Sequence, residues 1–443
     1  MGQIVKSSLK RTIGTFEATI FGVGIILGAG IYSLIGPAAG SAGNCLWLSF
    51  IIGAVISSFT GLSYAELSTM FPRAAAEYVY VKRASGSRFL AFMLAWLIIF
   101  AGVAAASTVA VGFAGYLRSF LYAPTPVIAI ALIGLLSLIS FIGIEESSKV
   151  NVLFTGIEIF GLVLIVILGM SRSVNLNYLQ SPFGLEGIVG AAALVFFAYI
   201  GFEDIVNLAE ETERPAKTIP KALILSILIT TILYILLATS VVRLAGGIEL
   251  SRSEAPLAYA ASTVLGANAF VLLSAVALFA TANTVLILLI VGSRMIYGVA
   301  RDGSLPVIFS AIHKSRGTPW AAALTIMIAC MLFAAVGDLR VLASVANFAA
   351  FAIFFSVNLS LIWLRFKMPE AERPFRVPLA LGKLPILPTL GLISCVILIS
   401  YLDLLGVILG IAALAIGGSA YTISKAKTAC TKSNLELAPE ILS

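Results

Sequence analysis

The sequence predicts an all-α, polytopic membrane protein of about twelve transmembrane helices. Three observations carry that expectation. The 443 residues are 60% hydrophobic and 11% charged, with a mean hydropathy of +1.07. A water-soluble domain carries roughly 25% charged residues and cannot hide so much apolar surface in a core. The apolar runs are long and continuous, which suits helices of ~20 residues and not the alternating strands of a barrel. Finally, the basic residues fall almost entirely on alternate loops.

The spans are expected at about 16–36, 44–64, 89–116, 124–143, 150–170, 187–209, 219–242, 267–297, 319–336, 341–364, 386–401 and 404–423. The opening MGQIVKSSLKRT has the basic character of a signal peptide. The apolar run behind it is too long for a signal h-region and lacks a small-residue cleavage site, so it reads as a retained first span. MGQIVK also fits a loose myristoylation pattern, but Ser7 stands one position late and the match is set aside. The last two spans are short and parted only around Asp403, so ten or eleven is the alternative count. One transmembrane domain is expected over 1–425, with a polar cytoplasmic tail at 426–443.

Charge then orients the chain. With the N-terminus inside, 23 of the 28 Lys and Arg fall on inner segments. The other five, Arg118, Arg172, Arg243, Arg252 and Arg340, fall outside. That bias is the positive-inside rule, so the net charge of +7 is a topology signal and implies no nucleic-acid partner. Both termini are expected in the cytoplasm, and the short loops suggest a prokaryotic plasma membrane.

Several chemistries are disfavoured. Cys45, Cys330, Cys395 and Cys430 are scattered and form neither a disulfide framework nor a metal motif. His313 is the sole histidine, which removes most zinc and triad arrangements and reads as a solvated loop residue. No GxxxxGK[ST] stretch occurs, so ATP is not the expected driver. Neither a catalytic residue, a metal nor a cofactor is expected.

The first span is unusual. FEATIFGVGIILGAGIYSLIG (residues 16–36) places Gly28-Ala29-Gly30 near its middle, although glycine weakens a helix interior by roughly 0.5–1 kcal/mol relative to alanine. The sixth span, which opens a second set of five, is interrupted at a matching place, Tyr199-Ile200-Gly201. Paired interruptions point to a site built from discontinuous helices, because irregular backbone at membrane depth survives only where it lines a cavity. The freed amides around Gly28, Ala29 and Gly30 suit a carboxylate. The freed carbonyls near Phe197 and Ala198 suit an ammonium. A ligand carrying both groups on one carbon is an amino acid. The alternative for a single glycine-rich span is close helix packing; the matched second break argues against it.

Five stretches together resemble the amino acid–polyamine–organocation transporters in order and spacing. They are GVGIILGAGIYSLIGPAAG, PRAAAEYVYVKRASG, GFEDIVNLAEETERPAKTIPKAL, SRMIYGVARDGSLP and ERPFRVP. The resemblance implies a five-plus-five inverted repeat (16–170 and 187–364) with broken helices 1 and 6, plus two extra spans at 386–423. It implies a substrate held midway between spans 1, 3, 6, 8 and 10. By that resemblance Gly28, Ala29 and Gly30, preceded by Ile26, match the carboxylate-binding segment. Phe197, Ala198, Tyr199, Gly201 and Phe202 match the broken sixth span, and Phe197 stands where an aromatic gate covers the substrate. Ordinary packing is the alternative for Phe197.

Glu158 lies inside NVLFTGIEIFGLVLIVILG with no charge close by in sequence. A carboxylate at that depth is costly and marks function, or else is protonated. Many members of the resembled family carry a lysine there, so this chain departs from the lysine mechanism. Three roles stay open: proton coupling, cation binding, and a protonated structural hydrogen-bond partner. Glu203, after the second break, is expected in coupling or gating, with a helix-end carboxylate as the alternative. Asp204, Glu210, Glu211 and Glu213 read as a solvated inner loop. Thr281, Asn283, Thr284 and Ser293 in span 8, and Asn347 and Asn358 in span 10, read as pocket wall or interhelical glue, glue being preferred for Asn358. Trp96 either floors the pocket or faces lipid or a neighbouring helix.

These readings converge on a secondary amino-acid transporter working by alternating access, with spans 1 and 6 moving against spans 3, 4, 8 and 9. The proton is the expected coupling ion and a neutral substrate is favoured. The alternatives are a sodium-independent exchanger or facilitator, and a polyamine or cationic amino-acid carrier. A channel filter, a membrane-embedded acid–base pair and an attached sensor domain are each missing from the sequence. The amino acid itself and the oligomeric state are not readable from it.

Overall fold

The computed structural model describes residues 13–72, 76–142, 145–210, 212–301, 305–313, 316 and 318–437. The opening stretch MGQIVKSSLKRT, Glu211 and the last residues of the tail lie outside this range. The first apolar run folds as two helices, α1 (Thr15–Ile26) and α2 (Gly30–Ala42). Then come α3 (Leu46–Met70), a short amphipathic α4 (Ala76–Ser85), α5 (Arg88–Leu117), α6 (Thr125–Ile142) and α7 (Glu145–Ser171). The second half opens with α8 (Gly184–Val195), followed by 3₁₀ turns at Phe196–Tyr199 and Phe202–Glu210. It continues through α9 (Pro215–Ala245), the small helices α10 (Gly247–Ser251) and α11 (Pro256–Leu265), α12 (Ala267–Arg301), α13 (Trp320–Ala334) and α14 (Leu339–Lys367). A two-residue hairpin, β1 (Ala380–Leu381) and β2 (Leu384–Pro385), precedes α15 (Ile386–Ile399) and α16 (Leu404–Leu437).

A helix occupies each place where a span was expected. Among the described residues, seven stretches are long and apolar enough to cross a membrane, Gly30–Met70 counting as one, and six shorter apolar helices accompany them. α16 continues as helix to Leu437, into the segment expected to be a polar tail.

Local signals start and stop these helices. Pro215 sits in the first turn of α9, where its missing N–H costs nothing. The Asp338 carboxylate accepts the amides of Arg340 (2.9 Å) and Val341 (3.0 Å), capping α14. The Ser87 hydroxyl accepts the Leu90 amide at 3.3 Å and starts α5.

The helices bury their small and hydroxyl-bearing faces and turn branched aliphatic faces outward. Leu135, Leu138, Leu332 and Ile416 are exposed, while Ser49, Thr60, Ser107 and Thr230 are fully buried. That distribution suits a hydrocarbon solvent, in which helices associate through close packing and hydrogen bonds rather than by excluding apolar surface from water. α3 packs along α9, and α5 lies against both α12 and α14. Six tyrosines, Tyr32, Tyr64, Tyr80, Tyr116, Tyr199 and Tyr234, are fully buried in the centre. Each brings an apolar ring and one hydroxyl, and that of Tyr234 reaches carbonyls of both breaks.

Candidate functional site

α1 ends at Ile26, Leu27 leaves helical geometry with a ψ of +14°, and Ala29, back in the helical region, starts α2: its carbonyl accepts the Ser33 amide at 3.1 Å. The amides of Gly30 and Ile31 open the first turn of α2, where a helix has no internal partner for its N–H groups. The Ala29 amide donates to Thr284 Oγ1 at 3.2 Å, and that hydroxyl donates in turn to the Ala280 carbonyl at 3.1 Å. Thr284 of α12 thus holds the first break in place.

The second break follows α8. Asn347 of α14 donates to the Ala193 (2.7 Å) and Leu194 (3.3 Å) carbonyls just before it. After one 3₁₀ turn Ile200 is extended and Gly201 takes a φ of +116°, a conformation that only glycine adopts freely. The Gly201 amide donates to the Glu203 carboxylate at 2.9 Å, so Glu203 caps the restarted helix.

The two breaks touch. A Cβ on Gly30 would lie 2.9 Å from Phe197 Cδ1 and 3.2 Å from the Ala198 Cα, so the Phe197 ring covers the first break directly. A Cβ on Gly201 would lie 2.4 Å from the Ile25 side chain. The Tyr234 hydroxyl of α9 lies 2.6 Å from the Ile26 carbonyl and 2.9 Å from that of Ala198. It reaches the last carbonyl of α1 and a carbonyl of the second break together. Tyr199, whose hydroxyl donates to the Phe50 carbonyl at 2.9 Å, packs edge-on against Tyr234.

The structure therefore brings Ile26, Gly28, Ala29, Gly30, Phe197, Ala198 and Gly201 together. Phe202 and Tyr199 face protein instead: Phe202 packs on Tyr64 and Phe354, and Tyr199 on Phe50 and Tyr234. Part of the Ala198 carbonyl's capacity is taken up by Tyr234, and the Phe197 carbonyl accepts the Ile200 amide at 3.3 Å. Trp96 does not floor this site. Its Nε1 donates to the Ala413 carbonyl at 2.9 Å and its ring lies against Gly417, so it faces α16.

Glu158 is 3% exposed, and among the described residues its Oε1 has no hydrogen-bond partner. Its backbone carbonyl accepts the Tyr32 hydroxyl at 2.7 Å, which ties this turn of α7 to α2. The Tyr32 carbonyl in turn accepts the Tyr116 hydroxyl at 3.0 Å. Thr281 and Ser293 bond back to carbonyls of their own helix. Asn358 is glue: it donates to Thr60 at 3.0 Å and accepts from Ser63 at 2.6 Å. Asp204, Glu213 and His313 are exposed.

Two charged groups escaped the sequence reading. Glu66, fully buried in α3, accepts a two-pronged contact from Arg365, at 3.1 Å from Nε and 2.5 Å from Nη2. The same carboxylate accepts from Arg373 at 3.2 Å and from the Val377 amide at 2.8 Å. Arg365 and Arg373 read as inner-loop charges; they are instead the core of a buried network that anchors the ERPFRVP segment to α3. Glu158 is accordingly not the sole buried carboxylate, and the signal for Glu66 was its place in the apolar run around TGLSYAELSTM. Glu77 on α4 is 7% exposed and accepts the Tyr64 hydroxyl at 3.3 Å. Burial pushes its carboxyl up to about 7, with Asp204 adding to the rise and Tyr64 opposing it.

Comparison with known proteins agrees with this architecture. The family model for amino acid permeases matches residues 13–423. A branched-chain amino acid permease of Bacillus subtilis (strain 168) is 30% identical over 421 residues, covering 89% of this chain and 88% of its own. A methylthioribose transporter of the same organism is 30% identical over 415 residues, with the same coverage. Cationic amino acid transporter 1 of Arabidopsis thaliana is 26% identical over 377 residues, covering 81% of this chain and 63% of its own. The chain belongs to the amino acid permease family of the amino acid–polyamine–organocation superfamily, and is a multi-pass membrane transporter, not an enzyme.

Proposed function

We propose that this permease is a secondary active carrier of neutral amino acids, working by alternating access with the proton as coupling ion. The observation that carries the reading is the contact between the two breaks, with the open amides of α2 beside Phe197 and Ala198. A carboxylate at a helix N-terminus gains from both unpaired amides and the helix dipole, worth typically 0.3–1 kcal/mol from the dipole alone. Glu203 is the carboxylate bonded into the second break, and it is engaged by the Gly201 amide. A neutral side chain suits such a site better than a cationic one, and a relative named as a branched-chain amino acid permease supports that preference. Relatives named as cationic amino acid transporters keep a cationic substrate as the second reading.

In this reading the chain has twelve spans arranged as a five-plus-five inverted repeat with two further helices, α15 and α16. Both termini face the cytoplasm, and the plasma membrane is the site of action. α1, α2 and the broken sixth span move against α5, α6, α12 and α13. Glu158, buried beside α2 with an unpartnered oxygen, is the coupling group. Glu203 controls the restart of the sixth span and hence its gating.

The test is uptake of a mixed labelled amino-acid pool, with methylthioribose included, into sodium-free proteoliposomes. Accumulation that depends on an inward proton gradient supports symport and identifies the substrate together. Uptake only into preloaded vesicles makes the protein an exchanger. Downhill uptake without preloading makes it a facilitator.

A further inference from the structure

Glu77 is a buried carboxylate that the transport reading leaves without a task. It sits on α4, the short helix between α3 and α5, which packs against α5 and α14. It is 7% exposed and accepts the Tyr64 hydroxyl at 3.3 Å. Tyr64 in turn is the hub of an aromatic cluster. Its ring stands edge-on to Phe202 and Phe354, with centroids at 6.0 Å and 6.1 Å, and lies 6.3 Å from that of Tyr80. Phe202 and Phe354 pack on each other at 5.3 Å. Phe202 directly follows Gly201, so the cluster plugs the second break on the side where α4 lies. The charge bias of the loops makes that side the cytoplasmic one.

The charges around Glu77 are one-sided. Arg365 and Arg373 are bound to Glu66. Lys367 donates to the Arg83 and Ala84 carbonyls at 3.4 Å and 3.0 Å, at the far end of α4. Lys82 and Arg83 lie over the Tyr78 and Phe71 rings, and Arg88, at the start of α5, is exposed. Among the described residues, the ionisable groups that act on Glu77 are two phenols and two carboxylates. They are Tyr64 of α3, Tyr80 of α4 itself, and Glu203 and Asp204 beside the second break. The Tyr80 hydroxyl is buried and has no partner among the described residues. No cation among these groups balances an ionised Glu77.

A buried carboxylate with like charges nearby favours its protonated form, and water favours the ionised one. Substrate leaves toward the cytoplasm only when Phe202 parts from Tyr64 and Phe354, and that movement opens Glu77 to water. The plugged form therefore binds this proton more tightly than the open form. Two forms that differ in proton affinity are set against each other by pH. We infer that Glu77 is a cytoplasmic pH switch: protonated, it keeps the Tyr64–Phe202–Phe354 plug shut beneath the second break, and on giving its proton to cytoplasmic water it lets the plug open. The switch turns the carrier down when the cytoplasm acidifies. The inference rests on the alternating-access reading and is independent of the coupling ion and of Glu158.

The test is hydrogen–deuterium exchange of the full chain in nanodiscs without substrate, from pH 5 to 8. It is read as protection after correction for the intrinsic exchange rate at each pH. The reporter is the segment 196–210, and the reference is 97–109 in the middle of α5. The ratio of plugged to open forms changes by up to about tenfold per pH unit between the ordinary carboxyl value of 4.5 and the buried value of about 7. Protection of 196–210 is therefore expected to fall at least about tenfold as pH rises over this range, with 97–109 unchanged. Glu77→Gln, which cannot ionise, is expected to hold full protection throughout. Tyr64→Phe removes the hydroxyl that opposes the rise at Glu77, and is expected to move the fall to higher pH.

The same fall in Glu77→Gln would overturn the inference and pass the switch to Glu203 or Asp204. An equal fall at 97–109 would overturn it as well, because the whole fold would then be loosening. Should Glu77→Gln fold poorly, Tyr64→Phe decides: a fall at the wild-type pH removes Glu77 from the switch. No substrate enters this measurement, so a failure of uptake in the transport assay strikes the carrier reading alone.

Discussion

Tyr234 places its hydroxyl 2.6 Å from the carbonyl oxygen of Ile26, the last residue of α1. The same hydroxyl lies 2.9 Å from the Ala198 carbonyl of the second break. A phenol has one proton, so it donates to one carbonyl at a time, and the two broken helices share a single donor. Any movement that separates them must choose which carbonyl keeps it.

Tyr234→Phe removes that donor while keeping the ring packed against Phe50 and Tyr199. The expected loss is roughly 1 kcal/mol, or about fivefold in substrate affinity, with little effect on folding. Binding measured by scintillation proximity, alongside a melting curve, checks both parts. Unchanged affinity would mean that the bridge does not position the site.

Gly30 and Gly28 are expected to respond differently. A methyl group at Gly30 would press on Phe197 at 2.9 Å and on the Ala198 backbone at 3.2 Å. At Gly28 the nearest atoms, the Ile25 carbonyl and Thr284, lie at 3.3 Å and 3.6 Å. Gly30→Ala is therefore expected to weaken binding strongly and Gly28→Ala only mildly. Valine at either position is expected to abolish binding. Normal affinity in both valine variants would show that the substrate lies elsewhere.

Glu158→Gln keeps the shape of the side chain and removes its titration. Uptake driven by a proton gradient is expected to fall to the level reached without the gradient, while equilibrium binding is retained. Full concentrative uptake in this variant would remove Glu158 from the coupling path.

Burial raises the Glu77 carboxyl from 4.5 to about 7 in the folded protein. Below pH 4.5 it is protonated both folded and unfolded. Between pH 4.5 and 7 the folded protein holds a proton that the unfolded chain releases, so stability falls as pH rises through this window. The full shift corresponds to about 3 kcal/mol. Melting temperatures of the detergent-solubilised protein from pH 4.5 to 8 should show this decline, and Glu77→Gln should flatten that part of the curve. Identical curves for the two proteins would contradict it.

Glu66→Ala leaves Arg365 and Arg373 buried without their shared carboxylate. Removing one partner of a buried ion pair costs about 3–5 kcal/mol. A large drop in melting temperature is expected, accompanied by proteolytic opening of the segment around Arg373 and Val377, which Glu66 holds at 3.2 Å and 2.8 Å. Wild-type protease resistance would show that other contacts anchor the segment.

The sequence by itself determined the helical class, the positions of the helices and the two breaks. Hydropathy over ~20 residues and the conformational freedom of Gly28, Gly30 and Gly201 are properties of the local chain, and a bilayer leaves few alternatives for an apolar run. Only the tertiary structure decided what holds the breaks and what surrounds them. Thr284 lies 255 positions from Ala29, Tyr234 lies 208 from Ile26, and Arg365 lies 299 from Glu66. An isolated threonine, tyrosine or arginine in an apolar run is compatible with many partners. Which carbonyl or carboxylate it meets follows from the way the helices pack, and that information is spread over the whole chain. The same reason explains Trp96, whose residue type fits a pocket floor but whose helix face turns toward α16.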